Sequence, residues 1–135
     1  MILVDAGPLV AIIDRGEPDH QACALALSSL TGPIVTTWPA LTEAINLLGS
    51  AGGWSAQDAL WKLLERDDLQ LVDLDETMRK RSRALMAKYQ DLPMDLADAT
   101  LVAAAEALNV KRVFTLDSDF RVYRFRNRQA FEIIP

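Results

Sequence analysis

Asp95 and Asp98 stand three residues apart in the stretch Pro93-Met94-Asp95-Leu96-Ala97-Asp98-Ala99-Thr100. On a helix that spacing puts both carboxylates on one face within the first turn. The same face continues through Leu101, Val102 and Ala105, which belong in a core. Acids beside an apolar stripe are costly to bury unless something cationic sits against them. Asp5, Glu43, Asp117 and Asp119 lie in other segments, so the chemistry depends on whether the fold brings them to the same place. His20 is the only histidine and Cys23 the only cysteine. A disulfide framework, a Cys/His zinc site and any mechanism using two histidines are therefore excluded. Carboxylates, hydroxyls, lysines and arginines remain.

The elements that must position these acids can be read from apolar periodicity and turn residues. Ile2-Leu3-Val4 is a short buried strand ending in Asp5, and Gly7-Pro8 opens a helix through Ile13. A second helix runs from Pro18-Asp19-His20 to about Leu30, with His20 as a surface or capping residue and Cys23 as core filler. Ile34-Val35-Thr36-Thr37 is a second strand. Pro39 starts a helix over Ala40 to Leu48, ended by Gly49, Gly52 and Gly53, and Ser55 caps the next, Ala56 to Glu65. Glu43 falls early in the first of these. Trp38, Trp54 and Trp61, on what read as different elements, are expected to be packing anchors. Leu69 to Val72 is a third strand, Asp75 opens a basic helix to about Tyr89, and the Asp95/Asp98 helix runs to about Asn109. Arg112 to Leu116 and Phe131 to Ile134 are the last two strands, the final one at an edge. Strands alternating with helices predict an α/β/α sandwich around a mostly parallel sheet, as one domain over residues 1–135.

Sites in open parallel sheets form outside the carboxyl ends of the strands. Asp5 and Asp117 end strands, and Glu43, Asp95 and Asp98 begin helices that leave the same edge. Singly each has a plain explanation, as a turn residue, an N-cap or an acid favoured by a helix dipole. Together they would repel and raise one another's pKa, which a hard divalent cation relieves. All-oxygen ligands select Mg2+ or Mn2+. Such an ion suits phosphoryl chemistry, since it acidifies water and neutralises charge on phosphoryl oxygens.

The net charge is −5, but its distribution is uneven. Residues 1–78 hold 12 acids against 3 basic residues, and residues 79–135 hold 7 against 11. Arg79, Lys80, Arg81 and Arg83 form one basic cluster, and Arg121, Arg124, Arg126 and Arg128 another. Each is either a solvated face or a footprint for a phosphate backbone or an acidic partner. No apolar run is long enough for a membrane span, and Met1 leads into Ile2 without a basic region or cleavage site, so a cytoplasmic protein is expected.

The ordered set Ile2-Leu3-Val4-Asp5, Thr42-Glu43-Ala44, Asp95-Leu96-Ala97-Asp98-Ala99 and Thr115-Leu116-Asp117-Ser118-Asp119-Phe120 resembles the PIN domain, and within it the VapC-type ribonuclease toxins. The resemblance covers nearly the whole chain. It implies that Asp5, Glu43, Asp98 and Asp117 are the catalytic, metal-binding acids, with Asp95 and Asp119 as accessory metal acids and Thr115 a hydroxyl beside the site. Many members carry Ser or Thr two residues after the first Asp; here that residue is Gly7, which bears on the strength of metal binding. The resemblance further implies an endoribonuclease acting on RNA, a homodimer, and an antitoxin whose tail lies across the acidic groove. The helices around residues 40–65 are candidates for the dimer surface. Three other readings compete with this one. A degenerate PIN fold would serve only as a protein-binding module. A receiver-type signalling domain would need paired acids after the first strand, whereas Asp5 has no acidic neighbour. An aspartyl-nucleophile phosphatase would need a second Asp where Gly7 stands.

Overall fold

In the computed structural model, which describes residues 1–135, the apolar runs become short strands joined by helices. The strands are β1 (Ile2–Val4), β2 (Ile34–Thr37), β3 (Gln70–Val72), β4 (Arg112–Phe114), β5 (Arg124–Phe125), β6 (Gln129–Ala130) and β7 (Glu132–Ile134). Five of them pair in the order β3-β2-β1-β4-β7, every pairing parallel, while β5 and β6 form a separate antiparallel ribbon. The helices are α1 (Ala6–Ile13), α2 (His20–Ser29), α3 (Trp38–Glu65), α4 (Glu76–Lys88) and α5 (Leu96–Leu108), with a 3-10 turn at Ser118–Arg121.

Side chains alternate across a strand, and that alternation divides the core. Leu3, Val35 and Val113 point to one face, where they pack with the alanines of α5, Leu85 of α4 and the aromatic side chains Phe120, Tyr123, Phe125 and Phe131. Ile2, Val4, Ile34 and Phe114 point to the other, against Leu9 and Val10 of α1, Cys23 of α2 and Leu41, Leu48 and Leu60 of α3. The sheet is thus covered on both faces, as the alternation of strands and helices predicts. Ala97, Ala99, Ala103, Ala104 and Ala105 are all buried, and their small side chains bring the α5 axis close to β1 and β2. No helix is long and apolar enough to cross a membrane.

Two expectations need correction. The chain does not leave its helix at Gly49 or Gly52; both remain within α3, and the interruption falls on Gly53 alone, at φ 66° and ψ −155°. That backbone region is essentially restricted to glycine. The chain folds back there, so that Gln57 Nε2 donates to the Ile45 carbonyl at 3.0 Å, and a Cβ on Gly49 would lie only 2.5 Å from the Gln57 amide. The tryptophans are not packing anchors. All three lie on α3 and face outward, Trp54 being 67% exposed, because the buried stripe of that helix is already filled by Ala40, Leu41, Ala44, Leu48 and Leu60. The second arginine cluster is largely exposed, and part of it forms the β5–β6 ribbon, an element that no apolar pattern announced. Arg126 and Asn127 adopt positive φ (49° and 62°) and turn the β5–β6 ribbon, whose tip is fastened to Glu106 through the Arg126 amide at 2.7 Å. His20 and Cys23 stand as expected: the imidazole Nδ1 lies 2.6 Å from the Ala11 carbonyl, and Cys23 is fully buried.

Candidate metal centre

Each acid is placed by the end of an element. Asp5 continues the ladder of β1, its amide donating to the Phe114 carbonyl at 3.0 Å, and then caps α1. Its Oδ1 accepts from the Ala6 amide at 2.7 Å and its Oδ2 from the Thr115 hydroxyl at 3.0 Å. Thr115 Oγ1 in turn accepts from the Asp117 amide at 3.0 Å. That amide can only donate, so the hydroxyl proton is directed at Asp5, and one side chain sets the spacing between two acids. Asp117 caps the 3-10 turn, its Oδ1 accepting from the Asp119 amide at 2.9 Å. Asp95 caps α5 by accepting from the Asp98 amide at 2.8 Å. Positive ends of helical turns therefore face the acids and soften their mutual repulsion.

Asp98 lies one turn further into α5 and is 4% exposed. Its Oδ2 accepts from the Tyr123 hydroxyl at 2.8 Å. Tyr123 is fully buried, with its ring edge-on to Tyr89 and Phe120 at centroid distances of 5.1 Å in both cases. Burial, followed by the hydrogen bond to Asp98, raises its phenol pKa above the ordinary value, so it serves as a donor. Sequence reasoning missed Tyr123. It stands outside every acid motif, and only the turn of the chain after Arg121 carries it back beneath α5.

Ligand oxygens of Asp5, Asp98 and Asp117 lie within 4.8 Å of one another. Glu43 is exposed, Asp95 is occupied as a cap, and Asp119 contributes its amide to Asp117, so these three stand around the cluster rather than in it. They still belong to its field. Burial, and then the charge of Asp5, push the Asp98 carboxyl up to about 8 against the Tyr123 hydrogen bond, with Asp95 and Asp117 adding to the rise. Asp5 is raised by burial, opposed by its Ala6 and Thr115 hydrogen bonds and reinforced by Asp117 and Asp95. Glu43 is raised by partial desolvation and then by Asp5, Asp95 and Asp117.

The donor set suits a hard divalent cation. It consists of carboxylate oxygens without nitrogen or sulfur, and none of the ion pairs in the molecule supplies these acids with a lysine or arginine. The sequence departure at Gly7 is not imposed by packing. A Cβ there would meet Leu116 at 3.5 Å, an ordinary contact.

A parallel sheet of order β3-β2-β1-β4-β7, with acids at the carboxyl ends of its central strands β1 and β4, defines an α/β domain with a carboxylate cluster at the carboxyl rim of the sheet. The PIN domain family model matches residues 2–126, and the chain belongs to that family. It is 26% identical over 135 residues to the Ribonuclease VapC26 of Mycobacterium tuberculosis (strain ATCC 25618 / H37Rv), covering 99% of this chain and 100% of that protein. Among solved structures it resembles Mycobacterium tuberculosis VapC20, described as a Sarcin-Ricin loop cleaving toxin, with a TM-score of 0.85, 18% identity and full coverage of both chains. A toxin-antitoxin complex from Klebsiella pneumoniae gives a TM-score of 0.67 at 18% identity, covering 89% of this chain and 90% of that one.

Proposed function

We propose that this chain is the ribonuclease toxin of a toxin–antitoxin pair and hydrolyses RNA phosphodiester bonds at the Asp5, Asp98 and Asp117 cluster. The carrying observation is the convergence of these three carboxylates within 4.8 Å, two of them buried and without a cationic partner, in a PIN domain. The ribonuclease relative spanning the full length of the chain supports RNA as the substrate. Mg2+ or Mn2+ is the cofactor we assign, held by Asp5, Asp98 and Asp117, with Glu43, Asp95 and Asp119 completing its surroundings. When bound, such an ion supplies positive charge at the phosphoryl oxygens and makes water a better nucleophile at neutral pH.

The chain's own residues divide the remaining work. Thr115 and Tyr123 each hold one carboxylate oxygen, of Asp5 and Asp98 respectively, and so limit the rotation of both acids. Asp95 fixes the first turn of α5, on which Asp98 rides. Glu43, an exposed acid within the same field, would help position the ion and the attacking water. A cognate antitoxin and a second copy of the chain are the protein partners we assign. Leu47, Trp54 and Trp61 of α3 are exposed apolar side chains that we assign to dimer contact. The protein acts in the cytoplasm on this reading.

Incubating the purified chain with a panel of structured RNAs, with Mn2+ or with EDTA, tests the proposal. Discrete fragments in Mn2+ alone are expected; intact RNA in both would count against it. The alternative of an inactive binding module has the retained acids against it, and calorimetry showing no Mn2+ uptake at millimolar concentration would favour it.

A further inference from the structure

The two arginine clusters are not uniform. Lys80 pairs with Glu76 at 3.0 Å, and Arg81 forks onto Glu106 at 2.6 and 3.1 Å while also reaching Asn127. Arg124 turns back onto the carbonyls of Arg121 and Tyr123 at 2.8 and 3.0 Å. Arg126 bonds the Glu106 carbonyl at 3.1 Å and lies over the Phe125 ring. Those cations are committed to the fold. Arg79, Arg83 and Arg121 are exposed and have no carboxylate partner, Arg79 making only one long bond to the Leu74 carbonyl at 3.4 Å, and each borders a cavity.

Arg79 and Arg83 border a cavity of about 520 Å3 floored by Pro39, Leu74, Met86 and Leu96. Arg121 and Ser118 border one of about 210 Å3 that reaches Thr115 and Asp117 and is walled by Ile133 and Pro135. Sheet order fixes where these lie. Leu74 follows β3 and Pro39 follows β2, Asp5 and Asp117 follow β1 and β4, and Ile133 belongs to β7. Along the carboxyl edge the sequence is thus a cationic cavity with an apolar floor, the acids, then a second cationic cavity. Neighbouring strands lie about 4.8 Å apart, so β3 to β7 spans roughly 19 Å, the reach of a few nucleotides of single strand.

We propose that single-stranded RNA crosses this edge transversely to the strands. One backbone phosphate beside the scissile bond sits at Arg121 and Ser118, and the strand continues on the other side past Arg79 and Arg83, with a base against Leu74, Met86 and Leu96. The path rests on the ribonuclease reading and adds to it the phosphate subsites. A polyanion explains why unpaired arginines flank the acids on both sides, since phosphates must be held over a negative centre by cations beside it.

Binding of a fluorescein-labelled, mixed-sequence oligoribonucleotide to the full chain, followed by anisotropy across a salt series, tests the path independently of turnover. Arg121→Gln and the pair Arg79→Gln/Arg83→Gln should each weaken binding about tenfold, and each lost phosphate contact should lower the log–log salt slope by about 0.7. Arg128→Gln, on the distant cavity beside Asn109 and Lys111, should change neither. Wild-type affinity and slope in Arg121→Gln would overturn the phosphate subsite. An effect confined to Arg121 would overturn the crossing and leave the Arg79/Arg83 groove to a protein partner. Cleavage of the same oligonucleotide in Mn2+ is scored separately: its absence in wild type strikes the ribonuclease reading, while altered binding in the variants still upholds the path.

Discussion

Replacing Asp98 by asparagine should make the metal-free protein more stable. The carboxyl is 4% exposed and is pushed to about 8 from an ordinary 3.8, so at pH 7 the chain takes up a proton on folding. About three pKa units lie between pH 7 and the unfolded value, which at about 1.4 kcal/mol per unit corresponds to roughly 4 kcal/mol of lost stability. Water at the open side of the rim reduces that to about 2–3 kcal/mol. Asparagine keeps an oxygen for the Tyr123 hydroxyl, needs no proton and does not repel Asp5. At about 3 °C per kcal/mol for a chain of this size, its Tm in EDTA should exceed wild type by roughly 6–9 °C. Because the native state binds more protons than the unfolded state between about pH 4 and 8, this contribution to wild-type stability is fullest at the acidic end and is lost as pH rises. The gap between the two proteins should therefore be small at pH 5 and widest near pH 8. Mn2+ should close or reverse it, since a ligand that binds only the native state stabilises in proportion to its occupancy and the variant has lost a ligand. Thermal melts at pH 5, 7 and 8, in EDTA and in Mn2+, read all of this. A variant that melts below wild type in EDTA at pH 8, or a gap that ignores pH, would refute the reasoning.

Other perturbations have equally definite outcomes. Tyr123→Phe removes the donor to Asp98 and should weaken Mn2+ binding about 10- to 100-fold by calorimetry, with the fold retained by the aromatic packing around the ring. Thr115→Val loses the bond to Asp5 and orphans the Asp117 amide, so Mn2+ affinity should fall at least tenfold. Gly53→Ala places a Cβ at φ 66°, ψ −155° and should cost about 1–3 kcal/mol in chemical denaturation without touching metal binding. Glu106→Ala frees Arg81 and the tip of the β5–β6 ribbon; a loss of about 2–3 kcal/mol is expected, with faster amide exchange at Arg126.

The parallel sheet was legible because its central strands β1, β2 and β4 are largely buried and so read as apolar runs, two of them leading into acids. Asp5 and Asp117 could be placed at strand ends from that pattern; spacing gave Asp95 and Asp98 as an equal pair on one helix face, and the PIN resemblance together with the convergence of the other acids favoured Asp98. Other features depend on contacts that no local pattern encodes. Tyr123 reaches Asp98 across 25 residues, after a 3-10 turn and before a two-residue strand too short to show periodicity. The ribbon at Arg124 to Ala130 was hidden because its turn uses Arg126 and Asn127 at positive φ, where glycine would have signalled it. Three glycines between Gly49 and Gly53 look alike as helix breakers. Only the fold separates Gly53, which needs its backbone conformation, from Gly49, which needs room for Gln57.

On the proposed function the carboxylate cluster hydrolyses RNA with a divalent cation. The most direct measurement is the initial rate of cleavage of an end-labelled RNA by wild type, Asp98→Asn and Asp117→Asn, each in Mn2+ and in excess EDTA. Cleavage by wild type in Mn2+ alone is expected, with either substitution slowing it at least about a hundredfold. Cleavage that persists in EDTA, or proceeds in both variants at the wild-type rate, would contradict it.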